Sequence, residues 1–232
     1  MDSARVLPLC VVLPGDLQTL LMAVGLVRTL ADDQPVLLAL EAEHMSVVAR
    51  LFGDAPVTFW FSDPDPTSRA ARMGLQVMAF PADPVAMYST AKIPISCMHT
   101  RFRIGRDPTR EHVHVRRVVD AHGSSFVLAY VGSGTRTLKS KLLPSGIPIV
   151  DVTGTKFDNP LDLCELIESA MQVHASDCWF LTLADLLGGN SRKFCHAYVD
   201  SRSGSVCRRK YRRRVSVIYC QVRNHEKKYH VI

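Results

Sequence analysis

Three short stretches combine residue types that do chemistry only when something holds them together. The first is LPGDLQT, residues 13–19, where Asp16 stands between an apolar run and a long amphipathic one. A carboxylate at such a junction has two uses. It accepts from the orphan N–H groups of a helix it caps, or it takes the proton of a bound hydroxyl as a general base. The second stretch is GSGTRTLKSK, residues 132–141, which gathers Ser133, Thr135, Arg136, Thr137, Lys139 and Lys141 beside two glycines. Backbone N–H groups, hydroxyls and cations in one turn suit a diphosphate, which needs donors and charge neutralisation together. The pattern GxxxxGK[ST] is absent, so this is not a P-loop, and a solvated basic turn has the same composition. The third is HASDCWFLTLADLLGG, residues 174–189. There Ser176 and Asp177 open an apolar helix, where they either meet a phosphate or ribose or simply cap it. His174 reads as a strand residue, and Trp179 and Phe180 as core packing.

These stretches need elements that present them. Apolar, β-branched runs alternate with longer amphipathic ones, the pattern of βαβ units around parallel sheets. Strands are predicted over 6–13, 35–40, 57–61 and 75–80, with helices over 16–31 and 45–52 and a short capped helix after Asp65 or Thr67. Residues 81–117 carry Pro81, Pro84, Pro94 and Pro108 and end in RFRIGRDPTREHVHVRR. Because proline disfavours both helix interior and central strand, this segment is read as a connector. Strands follow over 125–131, 147–152, 173–176 and 194–199, with helices over 159–170 and 180–187, the latter closed by Gly188 and Gly189. The fold class expected is α/β, with two Rossmann-like parallel-sheet domains. The N-terminal domain covers 1–117, the C-terminal one 118–200, and 201–232 form a basic tail. In doubly wound sheets ligands meet the loops that leave the C-terminal strand ends, which is where all three stretches fall.

The charge is uneven. The chain of 232 residues has a formal net charge of +6 from 28 Lys/Arg and 22 Asp/Glu. Residues 201–232 hold ten of those basic residues and one acid, so residues 1–200 carry a net −3. Basicity therefore belongs to the end of the chain, above all to RRKYRRR, residues 208–214. Such a block is a solvated face, or it meets anionic lipid or nucleic acid. The seven cysteines are scattered and form no CxxC pair, which reads as buried thiols in a reducing compartment, with neither zinc nor a disulfide framework. No apolar run reaches membrane-spanning length, and the apolar start reads as a strand rather than a signal peptide. A cytoplasmic protein is expected, with peripheral contact to an anionic membrane through 208–214 as its one lipid-facing feature.

GDLQTLLMAVGLVRTL resembles the opening of the GT-B glycosyltransferases related to ADP-heptose:lipopolysaccharide heptosyltransferases, where a Gly-Asp pair precedes the first helix. GTRTLKSKLLP is similar to that family's Thr-Thr-Arg…Lys…Trp-Pro loop, and SDCWFLTLADLLG to its Asp-Ser/Thr-Gly…His-Leu-Ala-Ala-Leu-Gly segment. The matches fall in the family's order. Cys178 and Trp179 replace Ser/Thr-Gly, and Thr182 stands where the family has His.

The resemblance implies that Asp16 is the catalytic base. It places Thr135, Arg136 and Lys139 against the donor diphosphate, with Asp177 as the acid of the last segment; Ser133 and Ser176, hydroxyls of the same two loops, are the further donor-binding candidates. It implies a transferase that uses a nucleoside-diphosphate sugar as donor substrate, with no further cofactor and no metal. The acceptor would be a glycan or lipid-linked hydroxyl. Two other readings stay open: a degenerate relative that binds nucleotide or a partner without chemistry, and a nucleic-acid-binding protein acting through its basic tail.

Overall fold

The computed structural model describes residues 7–61, 65–130, 143–153, 155, 157–176, 178–200, 215–222 and 229–230. The chain divides into two compact units, Met1–Arg106 and Asp107–Ile232.

The first unit runs β1 (Leu9–Val12), α1 (Leu17–Asp33), β2 (Val36–Leu40), α2 (Met45–Phe52), β3 (Val57–Phe61), α3 (Pro66–Arg72), β4 (Gln76–Ala79), α4 (Pro84–Thr90) and α5 (Cys97–Thr100). Its four strands lie in the order β3-β2-β1-β4, and every pairing is parallel. With right-handed crossovers, the steps from β1 to β3 place α1 and α2 on one face. The return to β4 places α3 on the other. The direction of winding reverses between β1 and β4, so the loop after β1 leaves from the switch point.

Residues 17–33 form a helix because apolar residues recur at helical spacing and Asp16 caps the start. Leu20, Leu21, Val24 and Val27 are buried completely or nearly so. Gly25 lets α5 approach the backbone of α1. A Cβ there would overlap the Cys97 carbonyl and lie 3.0 Å from Met98 Cα. Tyr88 of α4 fills the same core, and its hydroxyl donates to the Met22 carbonyl at 3.1 Å. Burial pushes that phenol far above its ordinary range.

The proline-rich connector is instead largely helical. Asp65, Asp83 and Asp107 are each followed by a proline that takes the first helical turn, and each Asp side chain accepts a backbone N–H two residues beyond that proline. Proline lacks the N–H that a first turn leaves unpaired, so Asp-Pro starts a helix rather than interrupting one. Asn159 and Pro160 repeat the arrangement, with Asn159 Oδ1 accepting from Leu161 N at 2.9 Å.

The second unit opens with α6 (Pro108–His122) and continues through β5 (Val127–Tyr130), β6 (Ile149–Asp151), a 3₁₀ turn at Pro160–Leu163, α7 (Cys164–Ser169), β7 (Gln172–Ala175), α8 (Trp179–Leu187), β8 (Arg192–Asp200), β9 (Val215–Val222) and β10 (Tyr229–His230). Strand order is β10-β9-β8-β7-β5-β6, parallel throughout except for β10. The core order β6-β5-β7-β8-β9 is the flavodoxin-like winding, whose switch point lies between β5 and β7. Arg110 anchors α6 through Asp162, 3.0 Å away and almost fully buried. VSVIYCQV, residues 215–222, forms β9 and joins the sheet beside β8. RRKYRRR lies outside the described residues. No helix among the described residues is long and apolar enough to cross a membrane. Cys10, Cys97, Cys164, Cys178 and Cys195 form no disulfide among the described residues.

A polar chain threads the second sheet. His174 Nε2 is 3.0 Å from Gln172 Oε1, and His174 Nδ1 is 2.9 Å from His196 Nε2. The amide oxygen only accepts, so His174 carries its proton on Nε2, and His196 Nε2 donates to His174 Nδ1. His196 Nδ1 is then a bare acceptor, buried without a partner among the described residues. Burial, reinforced at His174 by the neighbouring ring, holds both imidazoles down at about 4. Both rings are neutral in the fold above that value, whereas in the unfolded chain they protonate below about 6.5. Stability should be flat above pH 6.5 and should fall as pH drops towards 4, by on the order of 3 kcal/mol for the first ring. Urea midpoints measured across that window check it, and the slope should shrink in His196→Gln.

Candidate functional site

At the switch point of the first unit, Gly15 and Asp16 link β1 to α1. Asp16 is exposed. Its Oδ1 accepts from Thr19 N at 2.8 Å and its Oδ2 from Thr19 Oγ1 at 2.6 Å. The carboxylate is therefore a helix cap, fixed by two donors from one residue, and each oxygen keeps a lone pair for a third donor. It can both hold the helix and receive a proton.

Two residues that sequence reading passed over join this rim, both supplied by the end of β2. The Glu41 carboxylate lies so close to Gly15 that a Cβ at that position would collide with it. His44 is buried and its Nε2 is 2.9 Å from the Gly15 carbonyl. A carbonyl only accepts, so Nε2 carries the proton, and the ring pins the turn that presents Asp16. The signal was visible in principle: LEAEH, residues 40–44, places two acids and a histidine directly after an apolar strand.

At the switch point of the second unit, β5 ends at Tyr130 and β7 at Ala175, followed by Ser176. The Ser176 N–H donates to the Tyr130 carbonyl at 3.3 Å, and the residue is buried. Trp179 opens α8 and meets the Tyr130 ring edge-on at 5.3 Å, while Phe180 stacks on Tyr130 at 5.0 Å. Phe180 is core, as expected. Trp179 and Tyr130 are only half-buried, so the rim carries an aromatic surface that the sequence reading assigned to the interior. Burial raises the Tyr130 phenol, partly offset by its hydrogen bond with Trp179. Thr182 is buried within α8. His174 is the β7 strand residue expected.

Asp16 and Ser176 thus each sit at the C-terminal strand ends of their own sheet. Ser133, Thr135, Arg136, Lys139 and Asp177 lie outside the described residues, as does Lys141.

No protein-family model and no curated protein matches the chain. Among solved structures, two glycosyltransferases share its fold. One is the glycosyl transferase family 9 protein from Veillonella parvula DSM 2008, at 7% identity with a TM-score of 0.53, covering 93% of this chain and 86% of that one. The other is ADP-heptose lps heptosyltransferase II of E. coli, at 9% identity with a TM-score of 0.54, covering 91% of this chain and 90% of that one. At such identities the likeness is one of fold.

Proposed function

We propose that the chain is a metal-independent glycosyltransferase that moves a sugar from a nucleoside-diphosphate donor to an acceptor hydroxyl. One observation carries this reading. On a fold shared with two glycosyltransferases, Asp16 stands at the switch point of the first sheet, fixed in place yet open to solvent. In the proposed reaction Asp16 takes the proton of the acceptor hydroxyl as its oxygen attacks the anomeric carbon. The bond from that carbon to the donor phosphate breaks, and its electron pair leaves with the nucleoside diphosphate. Arg136 and Lys139, with the hydroxyls of Ser133 and Thr135, neutralise the charge that builds there, the role a divalent cation fills elsewhere. Ser176 and Asp177 contribute to the same donor site, and the half-buried faces of Tyr130 and Trp179 suit the donor base. The acceptor is a glycan or a lipid-linked hydroxyl, and in the second case residues 208–214 hold the protein to anionic lipid.

A thermal-shift screen of nucleoside diphosphates tests the donor half, since a ligand of the folded state raises the melting temperature. One base should give a response, and Arg136→Ala and Lys139→Ala should each weaken it about ten- to a hundredfold, the range for lost charge-assisted hydrogen bonds. Silence towards every nucleotide would remove the reading.

A second reading, binding without transfer, is favoured by one observation: both Asp16 oxygens are already engaged by Thr19. Nucleotide binding with no transfer from any donor sugar would select it.

A further inference from the structure

The end of the first sheet remote from Asp16 holds a polar hollow of about 300 Å³. Asp16 follows the C-terminal end of β1, whereas the hollow is lined by the last turns of α1, by residues 54–56 just ahead of β3, and by the segment after α5. Its charged lining is Arg28, Asp32, Asp54, Arg101 and Arg103.

Arg28 is the unusual member. It lies on the buried side of α1, only 8% exposed, among apolar neighbours. Its Nη2 donates to the Leu51 carbonyl at 2.6 Å and to Asp54 Oδ1 at 2.5 Å. Its Nε is buried with no partner among the described residues. A guanidinium has five N–H donors, and in a desolvated position each unused one is unfavourable. Arg101 pairs with Asp32. Arg103 is exposed, and its charge attracts Asp54 through space. Three guanidiniums against two carboxylates leave a net positive charge and a surplus of planar, forked donors. The hollow has little apolar surface, and its volume suits a small ligand. Planar donor forks in excess of carboxylate oxygens complement a tetrahedral oxyanion with several acceptors.

We propose that this hollow, framed by Arg28, Arg101 and Arg103, is a binding site for a phosphate monoester, separate from the proposed transfer site. Such a phosphate comes from a free phosphorylated small molecule or from a monoester lipid headgroup. The segment RFRIGR, residues 101–106, is basic because it supplies two of the three cations. Gly105 secures that segment to α2, since its carbonyl accepts from Arg50 Nε at 2.7 Å and its N–H donates to the Arg50 carbonyl at 2.6 Å.

The test uses the full-length chain, with inorganic phosphate titrated by calorimetry at constant ionic strength and phosphatidate vesicles in a sedimentation assay. Phosphatidylglycerol vesicles serve as the diester control, which separates recognition of the monoester from any general attraction of residues 208–214 to an anionic surface. Arg103→Gln changes an exposed side chain that makes no hydrogen bond among the described residues, so the fold should be unaffected, and Arg101→Gln is the second variant. Phosphate affinity about tenfold lower in both variants supports a free phosphate ester. Preference for phosphatidate over phosphatidylglycerol that vanishes in both variants, without phosphate binding, supports the lipid headgroup. Binding of neither probe, or binding equal in wild type and both variants, overturns the proposal.

Discussion

Asp16→Asn should lower the rate of sugar transfer by about 10²–10⁴-fold, the range that a positioned general base contributes, while nucleotide affinity stays unchanged. The choice of asparagine matters. Its side-chain oxygen can still accept from Thr19 N, as Asp16 Oδ1 does at 2.8 Å, so the helix keeps its cap. What disappears is the basicity. Asp16→Ala removes both and should lower stability by about 1 kcal/mol besides. Comparing the two variants separates the structural work of this side chain from its chemical work. Unaltered turnover in the asparagine variant, measured with saturating donor, would remove Asp16 from the mechanism.

The largest effect on stability should come from Gly25→Ala. Alanine is ordinarily the better helix former by about 1 kcal/mol, so propensity alone forecasts a gain. Packing reverses the sign. The added methyl would overlap the Cys97 carbonyl, which is backbone and cannot rotate aside. Helix α5 would have to move away from α1, opening the layer that buries Met98 and Met22. Overpacking of this kind costs about 3 kcal/mol, equivalent to roughly 12–24 °C in a unit of about 100 residues. Chemical denaturation of the variant measures it, and an unchanged midpoint would mean that the close approach of the two helices is unimportant.

The strands and the long helix were legible because buried parallel strands and amphipathic helices leave strong periodic signals. The segment 81–117 was not. Its prolines were read singly, as breakers, when the informative unit was the dipeptide. Asp83-Pro84 and Asp107-Pro108 each begin a helix, and the Asp65-Pro66 pair does the same earlier in the chain. The rims show a similar split. Asp16 announced itself because an acid between a strand and a helix is conspicuous. Glu41 and His44 did not, because their relation to Gly15 spans a whole βαβ unit and exists only once β1 and β2 are paired. Arg28 was hidden for the opposite reason. A single cation within an apolar helix face reads as surface, and its burial depends on the Leu51 carbonyl and Asp54 some two dozen residues on. Trp179 and Phe180 look equivalent in sequence, yet only the second is enclosed.

Strand β9 gives residues 215–222 a place in the second sheet. It pairs with β8 along the whole run from Lys193↔Val215 to Asp200↔Val222, and so covers the edge of β8 just after the arginines of 208–214 in the sequence. Cutting the chain after Asp200 would therefore leave β8 with a bare row of amides and carbonyls, an invitation to intermolecular pairing. Neutralising the arginines in place probes the charge without tearing the sheet.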